Sequence, residues 1–256
     1  MVRTRGATPR TPAFAWINSR TFSRTPTATH SFAWVDSMSM RAVVLSHRGV
    51  ADELGHVGDW LEDGGFAVDR VYREDQPSLP AADLLVVLGS PNSVAEGFCQ
   101  PPARGEIEAV RQWVTADRPY LGICFGAQVL SCALGGSVRR MATTFRAFAE
   151  LDGIDPTFSE LSGRWAVWHE DAISAPPGSE VLARLPHADA AFRVGRAVGL
   201  QPHIEFTSSI VERLATTVKL PDDEWRSLHD DVRANEDDHA ARSRRLLDAL
   251  FDRAVR

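Results

Sequence analysis

Three cysteines stand in 256 residues, and no two of them form a Cys-x-x-Cys pair. Cys99, Cys124 and Cys132 cannot all pair, so a disulfide framework is excluded and free thiols in a reducing, cytoplasmic setting are expected. No apolar run approaches the length of a membrane span. Positive charge is not in excess either: the formal net charge is -6, which argues against a nucleic-acid partner. No Gly-rich nucleotide-binding signature follows Thr207. What remains has the apolar and charged fractions of an ordinary globular protein, long enough for one large α/β domain or two small ones.

The first 39 residues differ from the rest, with five Arg, one Asp, no Lys or Glu, and many Ser, Thr and Pro. Phe14-Ala15-Trp16-Ile17-Asn18-Ser19 is echoed by Phe32-Ala33-Trp34-Val35-Asp36-Ser37. A transit-type peptide, a disordered arm and a start at Met38 or Met40 are the competing readings. The last is favoured, because a strand pattern begins directly after Met40. Residues 40–256 are expected as a single domain with 23 basic and 33 acidic residues.

Within it, Arg41 to Ser46 reads as a buried strand and Gly55 to Asp63 as a helix stopped by Gly64-Gly65. Phe66 to Tyr72 alternates as a second strand would, and Asp83 to Leu88 is the strongest strand signal, ending in the loop Gly89-Ser90-Pro91. Glu106 to Thr115 is helical by its apolar face. Pro119 to Ile123 is a short buried strand, followed at once by Cys124 and a helical pattern. Thr144 to Ala149 and Arg164 to Trp168 are strand-like pieces of a less regular middle region. Ala191 to Val194 and Ala197 to Gln201 form an antiparallel pair turned at Gly195, and helices occupy the tail from about residue 208. Strand and helix in alternation imply a mostly parallel sheet with helices on both faces, whose ligands sit beyond the carboxyl ends of the strands. The Gly89 loop and Cys124 both lie at such ends.

A cysteine between a strand end and a helix start, flanked by Gly122 and Gly126, has the pattern of a nucleophile elbow. The helix N-terminus favours thiolate there. Buried packing is the competing reading of Cys124. The stretch Gly199-Leu200-Gln201-Pro202-His203-Ile204-Glu205-Phe206 adds a strand-like run with His and Glu two apart, on one face of a strand. A thiol, a base and a group that orients the base is what a cysteine nucleophile needs.

These motifs, in this order, resemble the class I glutamine amidotransferases of the Cys-His-Glu type, such as the glutaminase domain of GMP synthase. Gly122 to Gln128 is similar to the family's elbow, Gln201 to Glu205 to its His-x-Glu segment, Gly89-Ser90-Pro91 to its Gly-Gly-Pro oxyanion loop, and Trp168-His169-Glu170-Asp171 to a His-x-Asp loop near the substrate. The similarity covers about Arg41 to Thr207. It implies a flavodoxin-like doubly wound fold with no metal and no cofactor. It implies Cys124 as nucleophile, His203 as base and Glu205 as its orienting group. Backbone N–H groups at Ser90 and Phe125 would form the oxyanion hole, and Gln128, His169 and Asp171 would hold the substrate. Glutamine, or another γ-glutamyl amide, is the implied substrate, and the protein either acts alone or releases ammonia for a separate acceptor or synthetase subunit. A γ-glutamyl peptidase with the same triad and a non-catalytic relative that binds a ligand or partner are the alternatives. Ser90 replaces the family's second glycine, Ile204 its usual proline, and Pro202 an aromatic residue.

Overall fold

The structure is a computed structural model that describes residues 40–75 and 78–254. The expected leader, residues 1–39, lies outside the described residues.

Seven strands form one sheet in the order β2-β1-β3-β4-β9-β8-β7. They are β1 (Arg41–Ser46), β2 (Ala67–Tyr72), β3 (Leu84–Val87), β4 (Tyr120–Ile123), β7 (Glu180–Leu185), β8 (Ala188–Val194) and β9 (Ala197–Leu200). β2, β1, β3, β4 and β9 run parallel, whereas β8 and β7 add antiparallel to the β9 edge. This is the flavodoxin-like order with an antiparallel extension. A separate hairpin pairs β5 (Ser137–Glu150) with β6 (Arg164–Ser174). The helices are α1 (Gly55–Asp63), α2 (Pro101–Thr115), α3 (Phe125–Ala133), α4 (Ser208–Thr217), α5 (Asp222–Ala234) and α6 (Glu236–Ala254). None of the described helices is long and apolar enough to cross a membrane.

The alternation of side chains along each strand divides the core in two. Ala42, Val44, Leu84, Val86, Leu121 and Ile123 meet α1 and α6 on one face of the sheet. Val43, Leu45, Leu85, Val87 and Tyr120 meet α2 and α3 on the other. Because both faces are covered, the central strands are continuously apolar in sequence. All four side chains of β3 are buried, each worth roughly 1.5–3 kcal/mol against about 1 kcal/mol for a backbone hydrogen bond, so burial dominates the stability of these strands. A third cluster joins α4 and α5 to the β5–β6 hairpin through Phe148, Ala166, Ile210, Val211, Trp225, Leu228 and Val232.

The elements depart from the sequence pattern in four places. α2 begins at Pro101, five residues before the expected Glu106, because proline is tolerated in a first turn whose N–H groups have no intrahelical acceptor. The irregular middle region is one long hairpin with a register shift between Arg140 and Phe145. β7 was not anticipated; its burial pattern shows no clean alternation and its register with β8 is broken twice. Finally, β9 stops at Leu200, so residues 201–205 are bend and turn, with one isolated bridge between His203 and Ala166.

Gly126 and Gly105 separate packing from propensity. Gly126→Ala should lower the melting temperature, because its Cβ would lie 2.1 Å from the Val87 carbonyl oxygen. A clash in a packed site costs about 1–3 kcal/mol and outweighs the roughly 0.5–1 kcal/mol that alanine gains in a helix. Gly105→Ala, in α2 with nothing within 4 Å, should raise the melting temperature instead.

The fold also buries a histidine at a cost that depends on pH. His239 on α6 is fully buried; its Nδ1 donates to the Phe206 carbonyl at 3.1 Å, and its Nε2 has no partner. Burial, then the neighbouring His56, pushes it down to about 3. Its contribution is complete above the unfolded value near 6.5 and is lost as pH falls toward 3. Denaturation of the wild type should therefore show stability falling on acidification by about 1.4 kcal/mol per pH unit from this group alone. His239→Asn, which keeps a donor for Phe206, should flatten that slope between pH 6.5 and 4.

Candidate active site

Cys124 sits between the end of β4 and the first residue of α3 with φ 51° and ψ -104°. Such a conformation costs a non-glycine residue about 1–3 kcal/mol and persists only where the surroundings fix it. Here the Cys124 N–H donates to the Leu200 carbonyl at 2.7 Å and its carbonyl accepts from the Gln128 N–H at 3.0 Å. The two flanking glycines are required by contact. A Cβ on Gly122 would lie 2.5 Å from the Gly126 carbonyl carbon, and one on Gly126 would strike Val87. The Tyr120 hydroxyl donates to the Gly126 carbonyl at 2.8 Å and closes the turn.

The structure brings His203 and Glu205 to the same place, although not on a strand face. In the turn after β9 the His203 N–H donates to the Ala166 carbonyl at 2.8 Å, and its Nδ1 donates to Glu205 Oε1 at 2.7 Å. Both side chains are buried, and the imidazole stacks on Phe206 at 4.0 Å between centroids. Its Nε2 and the Cys124 Sγ share one neighbour, the Trp168 carbonyl, at 3.3 and 3.6 Å. Burial opposes the imidazolium, but the Glu205 carboxylate and the Cys124 thiol outweigh it and push His203 up to about 10. Gln201 directs its side-chain amide to the Cys124 sulfur at 3.7 Å. Burial pushes the Cys132 thiol up to about 11.

Gly89 lies directly against this pair: a Cβ there would be 3.2 Å from His203 Cε1 and 3.9 Å from Cys124 Cβ. Ser90 is not among the described residues with positive φ, so serine in place of glycine is tolerated. Its hydroxyl pairs with His47 Nε2 at 2.7 Å. The loop is braced from below by Arg73, a residue with no sequence signal. The Arg73 guanidinium donates to the Gly89 carbonyl at 3.1 Å and the Leu88 carbonyl at 3.3 Å. It also forms a two-pronged buried pair with Glu106 at 3.0 and 3.1 Å. In a trans peptide the N–H points opposite the preceding carbonyl, so the Ser90 N–H is turned away from Arg73.

Gln128, His169 and Asp171 line the same cavity of about 240 Å³ as Cys124 and His203. The expected His-x-Asp loop lies within strand β6. Asp171 accepts from the Ser93 hydroxyl at 2.5 Å and pairs with Arg140 at 3.4 Å, a cavity residue that the sequence reading missed. Gln128 reaches the Asp171 carbonyl at 3.5 Å. His169 packs as a wall, with Nε2 2.8 Å from His187 Nε2 and the ring stacked on Phe145. Burial, then His187 and His203, pushes it down to about 3, so it is neutral. Among the described residues no group of three or more His, Cys, Asp or Glu is arranged to hold a metal ion.

A doubly wound sheet with a strained cysteine at the carboxyl end of a central strand defines a flavodoxin-like α/β protein whose site lies where such sheets bind ligands. The sequence model of the family described as glutamine amidotransferase class-I matches residues 65–213, and the chain belongs to that family. It is 35% identical over 135 residues to a glutamine-hydrolyzing GMP synthase of Aeropyrum pernix, covering 50% of this chain and 25% of that protein. It is 30% identical over 171 residues to a glutamine amidotransferase-like protein of Salmonella typhimurium, covering 60% and 72% respectively. The chain thus spans about a quarter of the length of the GMP synthase relative. The crystal structure of a glutamine amidotransferase from Thermotoga maritima shares the fold, with a TM-score of 0.72 at 24% identity over 85% of this chain and 98% of that one.

The Arg73–Glu106 brace gives a stability test. Arg73→Met strands the Glu106 carboxylate in the core and should cost about 3–5 kcal/mol in chemical denaturation. The double variant Arg73→Met with Glu106→Leu should recover most of that loss, because no unpaired charge is left behind.

Proposed function

We propose that the protein hydrolyses a γ-glutamyl amide through a thioester on Cys124, with glutamine as a substrate. The observation that carries this reading is the placement of Cys124, strained at the head of α3, beside an imidazole held by Glu205 at 2.7 Å. All the residues invoked lie within 40–256, which we take as the catalytic unit.

His203 takes up the proton of the Cys124 thiol, so that the sulfur attacks as thiolate. The thiolate attacks the γ-carbonyl carbon, and the oxyanion is received by the N–H groups of Phe125 and Ser90. The first amides of α3 have no intrahelical acceptor, and the Arg73 brace turns the Ser90 N–H away from the protein interior. The C–N bond breaks as His203 gives its proton to the leaving nitrogen. Water, deprotonated by His203, then attacks the thioester and releases glutamate, restoring the thiolate and imidazolium. Glu205 keeps the imidazole oriented and charged. Asp171 and Arg140 offer opposite charges to the α-ammonium and α-carboxylate of the glutamyl group, and Gln128 borders the same end. His169 closes the wall rather than binding charge, since burial keeps it neutral.

Release of ammonia from glutamine, or of amine from γ-glutamyl amides, tests this directly. Cys124→Ala should abolish turnover, and a glutamine-like diazoketone should label Cys124 while sparing Cys99 and Cys132. Equal labelling of all three thiols would remove the nucleophile assignment. His203→Ala should lower kcat about 10³-fold, and Glu205→Gln less, with the double variant little worse than His203→Ala. Without the Glu205 charge, burial lowers the imidazolium pKa, so the alkaline limb of kcat/KM should move to lower pH in Glu205→Gln. A variant with wild-type turnover and an unmoved limb would refute the pairing.

A further inference from the structure

β6 presents its free edge to the site, with the Trp168 carbonyl facing both Cys124 and His203. Side chains alternate along a strand, so the two faces of this ribbon border the cavity on opposite sides of the thiol. One face carries His169 and Asp171, and with Gln128 and Arg140 it is the polar side. The other face carries Trp168, which packs with Leu214 and Leu220 into the cluster of α4 and α5.

Apart from Glu170, whose carboxylate pairs with Arg140, that second side is apolar where it meets solvent. Leu214, Val218 and Leu220 line the cavity, and Val218 is 39% exposed. Among the described residues, four large hydrophobic side chains are exposed, and Val218 alone of these borders this cavity. One donor stands on the shelf. Arg146 lies over the Trp168 ring at 4.5 Å and gives Nη1 to the Glu224 carbonyl at 2.6 Å, while its buried Nε has no partner. Cys124, Gln128, Asp171 and His203 fall inside the segment that matches the family, residues 65–213, whereas Leu214, Val218 and Leu220 fall beyond it.

A glutamyl group anchored at Asp171 and Arg140, with its γ-carbon at Cys124, directs the leaving nitrogen across the ribbon edge toward this shelf. The primary amide of glutamine puts only an –NH₂ there and gains nothing from apolar walls. From this geometry, and resting on the thioester reading above, we infer that the cleft is built for γ-glutamyl dipeptides with a bulky apolar second residue. The side chain of that residue covers Trp168, Val218 and Leu220, and its carboxylate faces the Arg146 guanidinium. In the balanced step the thiolate displaces the amino acid, His203 protonates its nitrogen, and water frees glutamate from the sulfur.

The test compares kcat/KM for four substrates on the full chain: glutamine, γ-glutamyl-leucine, γ-glutamyl-glycine and γ-glutamyl-isoamylamide. γ-Glutamyl-leucine should exceed glutamine by at least tenfold, with the two partial mimics between them, since one methylene in an apolar pocket is worth about 10- to 200-fold. Val218→Ser, at a half-open position, should raise KM for γ-glutamyl-leucine at least about threefold and change γ-glutamyl-glycine less. Arg146→Met should weaken γ-glutamyl-leucine more than γ-glutamyl-isoamylamide. Glutamine cleaved as well as or better than γ-glutamyl-leucine would overturn the inference and leave the thioester reading standing. A preference for leucine that neither variant alters would overturn the assignment to this shelf. No hydrolysis of any of the four, together with no diazoketone labelling of Cys124, would overturn both.

Discussion

The site depends on the packing of the head of α3 against the ends of β3 and β4. Gly126, in the first turn of α3, presses against the Val87 carbonyl so tightly that no Cβ fits, and Gly122 presses against Gly126 from β4. This contact drives the head of α3 into the ends of β3 and β4, and Cys124 is left to make the turn with positive φ. The cost of that conformation is small beside the burial of β3, β4 and α3, and this is why a strained residue persists here. Any loss of that packing frees the turn, so the position of the sulfur is a property of the whole core rather than of one loop.

Buried charge is handled consistently around the elbow. His203 is paired with Glu205, Arg73 with Glu106, and Asp171 with Ser93 and Arg140. An unpaired charge at these depths is costly, whereas a hydrogen-bonded pair costs far less and gains direction. The direction is what matters for chemistry. One pair fixes an imidazole, and the other fixes the carbonyls of Leu88 and Gly89 and thereby the peptide that follows. Histidines without a carboxylate partner, His169 and His239, take the other course and stay neutral.

The β5–β6 ribbon stands apart from the sheet, yet it supplies a carbonyl to the thiol and the imidazole and a bridge to His203. Because its free edge meets the site, one short stretch contributes to two walls of opposite character. The polar wall belongs to the part of the chain that matches the family, and the apolar wall is completed by residues beyond it.

The sequence was sufficient wherever the signal is local. The apolar runs of β1 and β3, the helical face of α1, the glycines around Cys124 and the acid-rich start of α5 each show over a few residues what they build. The His203–Glu205 pair was legible from its spacing, although through a strand that turned out to be a turn. The elements of weak alternation, β7 and the full length of β5, were not legible, because their register is broken by irregularities that only the partner strand defines. Nor was Arg73 with Glu106, or Arg140 with Asp171, since these partners lie 33 and 31 residues apart and charges carry no period. The sequence by itself determined the parallel sheet, the elbow and the residues that stand at it. Only the tertiary structure decided which charges brace them and which apolar surface borders the cavity, because both are set by contacts between segments that no local pattern links.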